Sequence, residues 1–385
     1  MTTVVISPFN VVNFPEGGGH FWVYMQYAQG LRQLGCEVYW LENFRSSGNA
    51  ELDAVVLGTF IARMKAFGME EKFILHVNRG NVDAPAVPSE YVGMSSAEAE
   101  AIFKRADLLV NFHYKISPAL LARFRRTALV DIDPGSLQFW ISRGQISMPE
   151  HDCYFTTGET VGTPAALFPD CGLKWIHLRP AVCLERWPYL FDPHADAFTT
   201  VSSWDGGDWI VNGTEVYENT KRMSFLQFAE LPRITRQALE LALFLRTDQD
   251  AADRQLMEGL GWRIRPSREL TKTPALYQSY IQASRGEFSC AKPSCLKFQN
   301  AWVSDRTLCY LASGKPVVVQ NTGSSAFLPN GEGMFRFSTL AEAAEALAAV
   351  NADYERHCRA ARQIAETYFD AKHVLGKILS CALKC

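Results

Sequence analysis

Short apolar runs alternate with amphipathic helical segments along most of the chain. The first run, Thr3–Ser7, is followed by a loop, a helical pattern over Phe21–Leu34 and a second run, Glu37–Leu41. A strand, a helix and a strand in this order form a right-handed βαβ unit, so the pattern predicts a parallel sheet. The same alternation predicts helices over Asp53–Phe67 and from Ser95 or Ser96 to Arg105, and strands over Phe73–Val77, Asp107–Phe112, Ala128–Asp133, Asp152–Thr157 and Lys174–Leu178.

A proline-containing stretch separates this series from a second one. Residues Arg179–Ala195 hold three prolines and few regular signals, which is typical of a linker. We therefore predict an N-terminal domain over residues 1–183, a linker over 184–196 and a C-terminal domain over 197–368. The tail, about 369–385, is expected to form a helix that crosses back to the N-terminal domain. Both domains are predicted to be α/β and Rossmann-like, with parallel sheets.

The second series again alternates strands with helices. Strands are predicted over Phe198–Ser202, Leu239–Leu245, Trp262–Arg265, Gly286–Ser289, Val317–Val319 and Gly333–Phe337. Helices are predicted over Thr220–Phe228, Asp250–Leu260, Pro274–Ala283, Leu340–Val350 and Asp353–Tyr368. Asp205–Glu218, which carries three glycines, predicts a loop or hairpin.

Composition adds few constraints. The 385 residues are 48% hydrophobic and 21% charged with a net charge of −3, which is ordinary for a soluble protein and favours neither nucleic acid nor an anionic membrane as partner. The first residues lack the basic region of a signal peptide, and no apolar run reaches the length of a membrane span. We therefore expect a cytoplasmic protein whose ten cysteines are reduced thiols. No cysteine pair has zinc-site partners, so no metal is predicted, and the sequence gives no oligomeric state.

The segment Ala301–Gly323 combines a short helix with a buried strand. The helix is predicted to begin at Ser304 or Asp305, either of which is a good N-cap, and to stop at Gly314 before the strand Val317–Val319. A helix N-terminus presents unpaired N–H groups and favours a phosphate. Ser304, Asp305, Arg306 and Thr307 are therefore candidate phosphate contacts. An ordinary αβ unit without a ligand is the alternative.

A glycine-rich loop, Pro15–His20, precedes the first helix. Its glycines lie well after the strand and Trp22 occupies the closing position of a dinucleotide fingerprint, so the match to such a site, with Glu42 as its acid, is weak. His20 is placed where a general base is useful, although a structural histidine is the alternative. His113, Asp131 and Asp133 follow strands that end at the same sheet edge. Asp131 or Asp133 could orient His20 as a base, and the alternative is that both aspartates are turn residues.

The motifs of the second half resemble those of the two-Rossmann-domain (GT-B) glycosyltransferases. Ser284–Phe288 is similar to the serine-arginine-x-glutamate-glycine-phenylalanine segment of the retaining, glycogen-synthase-like group. Gly314–Val318 is similar to the glycine-x-proline-valine-valine segment that begins a strand in GT-B donor domains, and Asn321–Gly323 follows where such enzymes contact the donor. Pro15–His20 resembles their N-terminal glycine loop.

The resemblance implies two domains facing across a cleft and metal-independent transfer of a sugar, of the hexosyltransferase type, from a nucleoside-diphosphate sugar to a small-molecule or saccharide acceptor. The aromatic residues of the N-terminal loops suit an aromatic natural product as well as stacking on a sugar, and a place in the core is the alternative. No cofactor besides this co-substrate is implied. His20 would be the base if the enzyme inverts, and would bind the acceptor or the leaving phosphate if it retains. The implied donor and phosphate contacts are Gly18, Gly19, Arg285, Glu287, Ser304, Asp305, Arg306, Thr307, Thr322 and Gly323. The implied acceptor contacts are Trp22, His113, Tyr114 and Asp133.

The sequence departs from the family pattern at one residue and in the length of one segment. Cys309 stands where a second glutamate usually holds the donor ribose, and the nearest acid is Asp305. A longer segment also separates Glu287 from the helix and carries Lys292 and Lys297, which either meet a pyrophosphate or are surface lysines. The alternatives are a GT-B nucleotide-sugar epimerase or hydrolase, a catalytically decayed nucleotide-sugar-binding protein and, more remotely, a nicotinamide oxidoreductase. The sugar, the nucleotide, the acceptor and the stereochemistry are open.

Overall fold

Two parallel sheets, each in its own unit, organise the chain. The computed structural model describes residues 1–78, 90–204, 209–212, 215–245 and 248–384. The first unit comprises Met1–Thr157, Pro169–Arg179 and Ala371–Cys385. The second unit comprises Gly158–Phe168 and Pro180–Asp370. Residues 184–196, which the sequence suggested as a linker, thus belong to the second unit.

The first unit contains an eight-stranded sheet in the order β4-β3-β2-β1-β5-β6-β7-β8, parallel except at the β3–β4 edge. Its strands are β1 (Thr3–Ser7), β2 (Glu37–Arg45), β3 (Phe73–Asn78), β4 (Tyr91–Val92), β5 (Leu108–Asn111), β6 (Thr127–Asp131), β7 (Cys153–Thr156) and β8 (Trp175–His177). Its helices before the second unit are α1 (Gly18–Gln33), α2 (Ala50–Ala66), α3 (Ser96–Arg105), α4 (Pro118–Leu121) and α5 (Ser136–Ser142).

The second unit contains a six-stranded parallel sheet in the order β13-β12-β9-β14-β15-β16 and a separate antiparallel ribbon, β10–β11. Its strands are β9 (Phe198–Ser203), β10 (Trp209–Asn212), β11 (Glu215–Glu218), β12 (Leu239–Phe244), β13 (Arg263–Pro266), β14 (Gly286–Ser289), β15 (Val317–Gln320) and β16 (Met334–Phe337). The ribbon falls within the predicted loop or hairpin Asp205–Glu218, of which 205–208 and 213–214 lie outside the described residues.

Helices surround this second sheet, and a final helix returns to the first unit. The helices are α6 (Lys221–Gln227), α7 (Leu231–Ile234), α8 (Asp248–Gly259), α9 (Ser267–Thr271), α10 (Pro274–Ala283), α11 (Pro293–Phe298), α12 (Asp305–Ala312), α13 (Leu340–Ala352), α14 (Tyr354–Ile364), a π-helical turn (Ala365–Phe369) and α15 (Ala371–Ala382). No helix in the described ranges is both long and apolar enough to cross a membrane.

The predicted α/β fold class is confirmed, and its causes are local. The central strands are apolar throughout because both faces of a parallel sheet are covered, as Val4, Val5 and Ile6 show with no exposed surface. Helix α3 begins with a capping box in which Ser95 accepts from the Glu98 N–H and the Glu98 carboxylate accepts from the Ser95 N–H. Five short helices, α4, α5, α7, α9 and α11, were not predicted, since each spans too few turns to show a helical period.

Strand order also fixes where each sheet can bind a ligand. In the first sheet the chain leaves β1 toward β2 on one side and reaches β5 on the other. In the second sheet β9 has β12 on one side and β14 on the other. Open parallel sheets bind ligands at the carboxyl ends of strands where the order reverses in this way. The candidate sites are therefore the loop after β1 and the carboxyl ends of β9 and β14.

The last helix packs on α1 through a glycine. A Cβ atom on Gly30 would lie 2.7 Å from the Ala371 Cβ and 2.5 Å from Leu375 Cδ1, whereas a Cβ on Gly58, inside α2, would meet nothing within 4 Å. Glycine normally weakens a helix interior by about 0.5–1 kcal/mol relative to alanine. Gly30 is therefore a requirement of the α1–α15 contact.

This contact predicts opposite effects for two glycine-to-alanine changes. Gly30→Ala is expected to lower the free energy of unfolding by about 1–3 kcal/mol, because the added methyl overpacks the α1–α15 contact. Gly58→Ala, the matched control, is expected to raise it by up to about 1 kcal/mol. Urea unfolding of both variants checks this, and stabilisation by Gly30→Ala would contradict the packing described.

Candidate functional site

Helix α12 begins at the carboxyl edge of the second sheet. Ser304 occupies the N-cap position, as the sequence predicted, but its side chain makes no capping hydrogen bond. The first N–H groups of a helix have no partner within the helix, and the helix dipole makes this end positive. The start of α12 is therefore open to an anion.

A buried ion pair fixes this helix start. Arg306 Nε donates to Glu287 Oε1 at 2.8 Å, and Glu287 has no exposed surface. The other two guanidinium nitrogens donate to the Val201 carbonyl oxygen at 2.7 Å and to Ser289 Oγ at 2.5 Å. One side chain thus connects α12 to the middle of β9 and to the last residue of β14.

These contacts correct the roles expected for Arg306 and Glu287. The sequence suggested that Arg306 holds the diphosphate and that Glu287 holds phosphate and sugar. Glu287 is the second residue of β14 and lies below the strand end, where its carboxylate meets Arg306 inside the core. The two side chains position α12 against the sheet, and neither is directed to a ligand.

Arg285 needs a second correction. It precedes β14, so strand direction places it at the amino end of the sheet, opposite to Ser289. Its guanidinium lies 3.8 Å from the centre of the Tyr354 ring and donates from Nε to Asn351 Oδ1 at 2.7 Å. A phosphate contact at the carboxyl edge is therefore wrong for Arg285.

A pocket opens at the carboxyl ends of β14 and β15. Its lining includes Ser304, Thr307 and Thr322, three of the predicted donor contacts, and also Gln320, Trp302 and Arg336. Gly323 follows at a φ of 120°, and a Cβ there would lie 2.7 Å from the Gln299 backbone. The pocket therefore offers hydroxyl, amide and guanidinium groups beside the start of α12.

A lysine that the sequence analysis missed lies beside the ion pair. Lys221 begins α6, is partly exposed, and has no hydrogen bond or ion pair with any residue in the described ranges. Burial, and then the positive charge of Arg306, lower the pKa of its amino group to about 7. A bound anion would stabilise its charged form. A lysine at a helix start is common, and only the tertiary fold reveals that this one neighbours Arg306.

Cys309, at the position where the resemblance expects a ribose-binding acid, is buried. It is 3% exposed, and its thiol donates to the Asp305 carbonyl oxygen within α12 at 3.4 Å. It is not part of the pocket lining. Cys309 is therefore not placed to contact a ligand in this pocket.

In the first unit, His20 lies in the first turn of α1. Its Nε2 is 2.8 Å from the Phe9 carbonyl oxygen. A carbonyl oxygen only accepts, so Nε2 carries the proton of the neutral ring and Nδ1 carries the lone pair. Among the described residues Nδ1 has no hydrogen-bond partner, and burial lowers the His20 pKa below 6.5. The ring is thus neutral at pH 7 with its basic nitrogen available, as a general base requires.

The loop that carries Phe9 is held by Glu42. The buried Glu42 carboxylate accepts from the backbone N–H groups of Val11 and Val12, the latter at 2.9 Å, and from Trp40 Nε1 at 2.9 Å. Burial raises the Glu42 pKa to about 7. Glu42 therefore serves the loop, and the role considered for it as the acid of a dinucleotide site is wrong.

Exposed aromatic rings flank His20. The Phe14 ring centre is 5.8 Å from the His20 ring and is 42% exposed, and the half-exposed Phe9 stacks 5.1 Å from His113. Trp22, by contrast, is 3% exposed and packs edge-on against Phe67 at 5.1 Å. The acceptor contact predicted for Trp22 is wrong, because its helix face points into the core.

The other predicted acceptor residues form a polar group near the ends of β5 and β6. Tyr114 OH donates to Asp133 Oδ2 at 3.2 Å, and the buried Asp131 accepts from Gln138 Nε2 at 2.8 Å and Thr156 Oγ1 at 2.9 Å. Burial raises the Asp131 pKa to about 7. Neither aspartate has a described hydrogen bond to His20, whose orienting partner is the Phe9 carbonyl.

Two further predicted contacts begin helix α1. Gly18 and Gly19 are its first residues, and the Gly18 N–H donates to the Glu16 carbonyl oxygen at 3.2 Å. Both glycines belong to the first unit, so a donor contact by them stays a prediction. In the described part of the chain, no three His, Cys, Asp or Glu side chains lie close enough together to hold a metal ion.

Solved structures of similar fold cover the whole chain. The Anabaena protein HepE in complex with UDP-glucose matches with a TM-score of 0.64 at 12% identity, covering 100% of both chains. An alpha-glucosyltransferase in complex with UDP and DNA matches at 0.60 and 10% identity, also over 100% of both chains. Sucrose-phosphate synthase from Thermosynechococcus elongatus matches at 0.54 and 12% identity, over 99% of this chain and 98% of that one.

These structures are GT-B glycosyltransferases, so the chain has the GT-B fold that the resemblance implied. No protein-family model matches the sequence, and no curated protein matches it significantly. At identities this low, the likeness establishes the fold.

The His20 hydrogen bond predicts a tautomer and a titration. Nitrogen-15 NMR of the histidine rings, with His20→Gln to assign the signal, is expected to show a neutral ring protonated at Nε2 and a pKa below 6.5. A His20 ring protonated at Nδ1, or titrating above 6.5, would contradict the geometry.

The buried ion pair predicts that removing one partner lowers the free energy of unfolding more than replacing both. Glu287→Ala leaves the Arg306 guanidinium uncompensated in the core and is expected to lower the free energy of unfolding by roughly 3–5 kcal/mol. The double variant Glu287→Leu, Arg306→Met removes both charges with similar side-chain volume and is expected to lose less. Urea unfolding measures both, and a double variant as unstable as the single one would contradict a buried pair.

Proposed function

We propose that the protein is a glycosyltransferase that moves a sugar from a nucleoside-diphosphate sugar to a small-molecule or saccharide acceptor. The observation that carries the proposal is the start of α12, whose N-cap side chain makes no hydrogen bond and which lines a polar pocket. Lys221, which has no hydrogen bond or ion pair within the described ranges, neighbours Arg306 of the same helix. The GT-B fold and the UDP or UDP-glucose bound in similar structures support it.

The second unit is proposed to bind the donor. When the bond between sugar and diphosphate breaks, negative charge develops on the leaving phosphate. The N–H groups at the start of α12, the Ser304 and Thr307 hydroxyls and the Lys221 ammonium can stabilise that charge without reorganisation. Since these groups supply positive charge from the protein itself, we expect transfer to persist in EDTA.

The first unit is proposed to bind the acceptor around His20. An acceptor hydroxyl bonded to Nδ1 would lose its proton to the ring as its oxygen attacks the anomeric carbon. Direct displacement of this kind inverts the sugar. If the enzyme instead retains configuration, Nδ1 serves to bind the acceptor or the leaving phosphate. The exposed Phe9 and Phe14 rings suit the apolar face of a pyranose or an aromatic acceptor.

Nucleotide binding tests the donor site. Titration calorimetry with UDP is expected to show binding to the wild type and roughly 10–100-fold weaker binding to Lys221→Met, because a charge-assisted hydrogen bond is worth about 1.5–3 kcal/mol. Arg233→Met is the matched control, since Arg233 is a surface cation of the same unit, paired with Glu230, and precedes the amino end of β12. Its affinity is expected to equal that of the wild type.

Two outcomes decide against parts of the proposal. Equal UDP affinity in wild type and Lys221→Met would remove Lys221 from the site, and no binding of UDP, GDP, ADP or dTDP by the wild type would overturn the donor site altogether. A hydrolase or epimerase needs no acceptor, so rapid conversion of a nucleotide sugar by the protein alone would favour that alternative over transfer.

A further inference from the structure

Arg336 lines the donor pocket with part of its charge uncompensated. It lies on β16, the edge strand of the second sheet. Its Nε is buried without a hydrogen-bond partner in the described ranges, and its Nη1 donates to the Gly323 carbonyl oxygen at 3.2 Å. Its surroundings are dry enough that burial lowers the pKa of its guanidinium.

The nearest acid does not close this gap. Glu159 favours the charged form of Arg336, but its two oxygens accept from other groups, the Ser325 hydroxyl at 2.6 Å and the Ala326 N–H at 2.9 Å. Among the described residues, no carboxylate forms an ion pair with Arg336. A buried cationic N–H without an acceptor is costly, and native proteins nearly always give such a group a partner. The pocket, which Arg336 lines, is a route by which an acceptor can reach this group.

The position of Arg336 separates it from the proposed phosphate site. Arg306 bonds to β9 and to the last residue of β14, and Lys221 neighbours it. Arg336 lies on β16, two strands further from β14 in the sheet, which is roughly 10 Å at the usual strand spacing. Gln320 ends β15, which lies between β14 and β16, and it lines the pocket together with Ser304 and Thr307. The amide and hydroxyl groups of these side chains suit sugar hydroxyls. A diphosphate held near Lys221 would therefore direct its sugar toward Arg336.

We infer that the donor sugar carries a carboxylate, as in a nucleoside-diphosphate uronic acid, and that the Arg336 guanidinium binds this carboxylate. The inference rests on the proposed function and narrows its donor. A guanidinium matches a carboxylate in charge and in its two-pronged geometry. A neutral hexose could offer the buried Nε only a hydroxyl oxygen, which accepts a hydrogen bond but leaves the guanidinium charge without a counter-ion, and a hydrogen bond to a charged partner is the stronger one.

Calorimetric titration with UDP, UDP-glucose and UDP-glucuronate tests this. The wild type is expected to bind UDP-glucuronate roughly 10–100-fold more tightly than UDP-glucose. Arg336→Gln is expected to abolish that preference and to leave the affinity for UDP unchanged. Lys221→Met, as the matched control, is expected to weaken all three ligands by a common factor and to keep the preference.

Each other outcome has a definite meaning. Equal or tighter binding of UDP-glucose by the wild type overturns the inference but not the proposed function, since UDP still binds. Loss of UDP affinity in Arg336→Gln assigns Arg336 to the diphosphate and overturns the inference too. No binding of UDP to the wild type overturns both. Thermal melting confirms that Arg336→Gln is folded; if it is not, Arg336→Lys, which keeps the charge and loses the two-pronged geometry, is expected to reduce the preference.

Discussion

The ion pair between Arg306 and Glu287 is the constraint on which the second unit's candidate site depends. Arg306 reaches from the start of α12 to the middle of β9 and the end of β14, so it sets where that helix begins relative to the sheet. Glu287 compensates the charge of Arg306 inside the core, so Arg306 is not available to a ligand. In the proposed site, Lys221 and the N–H groups of α12 bind the ligand instead. Replacing a buried pair by apolar side chains often costs little, so its value lies in placement more than in net stability.

In the first unit, a buried carboxylate on β2 likewise holds a neighbouring segment in place. Glu42 is buried, and its carboxylate accepts two consecutive backbone N–H groups of the loop after β1. That loop presents the Phe9 carbonyl, which in turn fixes the tautomer of His20. In both units a buried carboxylate on a parallel strand orders the segment that carries the candidate functional groups. Neither carboxylate has a place in the proposed ligand contacts.

The sequence predicted the elements well and the roles of single residues less well. Strands such as Thr3–Ser7 and Gly286–Ser289 are apolar because both their faces are covered, and this signal is local. The placement of Arg285 was also readable, since a residue that precedes a strand lies at its amino end. The pairing of Arg306 with Glu287, the burial of Trp22 and the proximity of Lys221 to Arg306 depend on contacts between distant segments, which no local pattern encodes.

The helix Ala371–Ala382 has a consequence for how the protein is made. It packs on α1 through Gly30, yet the whole of the second unit's main segment, Pro180–Asp370, is translated before it. On the ribosome, the surface of α1 beside Gly30 therefore stays uncovered while the second unit is synthesised. The second unit can then fold before the first unit is complete. Nascent chains stalled before residue 371 should accordingly engage chaperones through the first unit, although it contains the earliest residues to emerge.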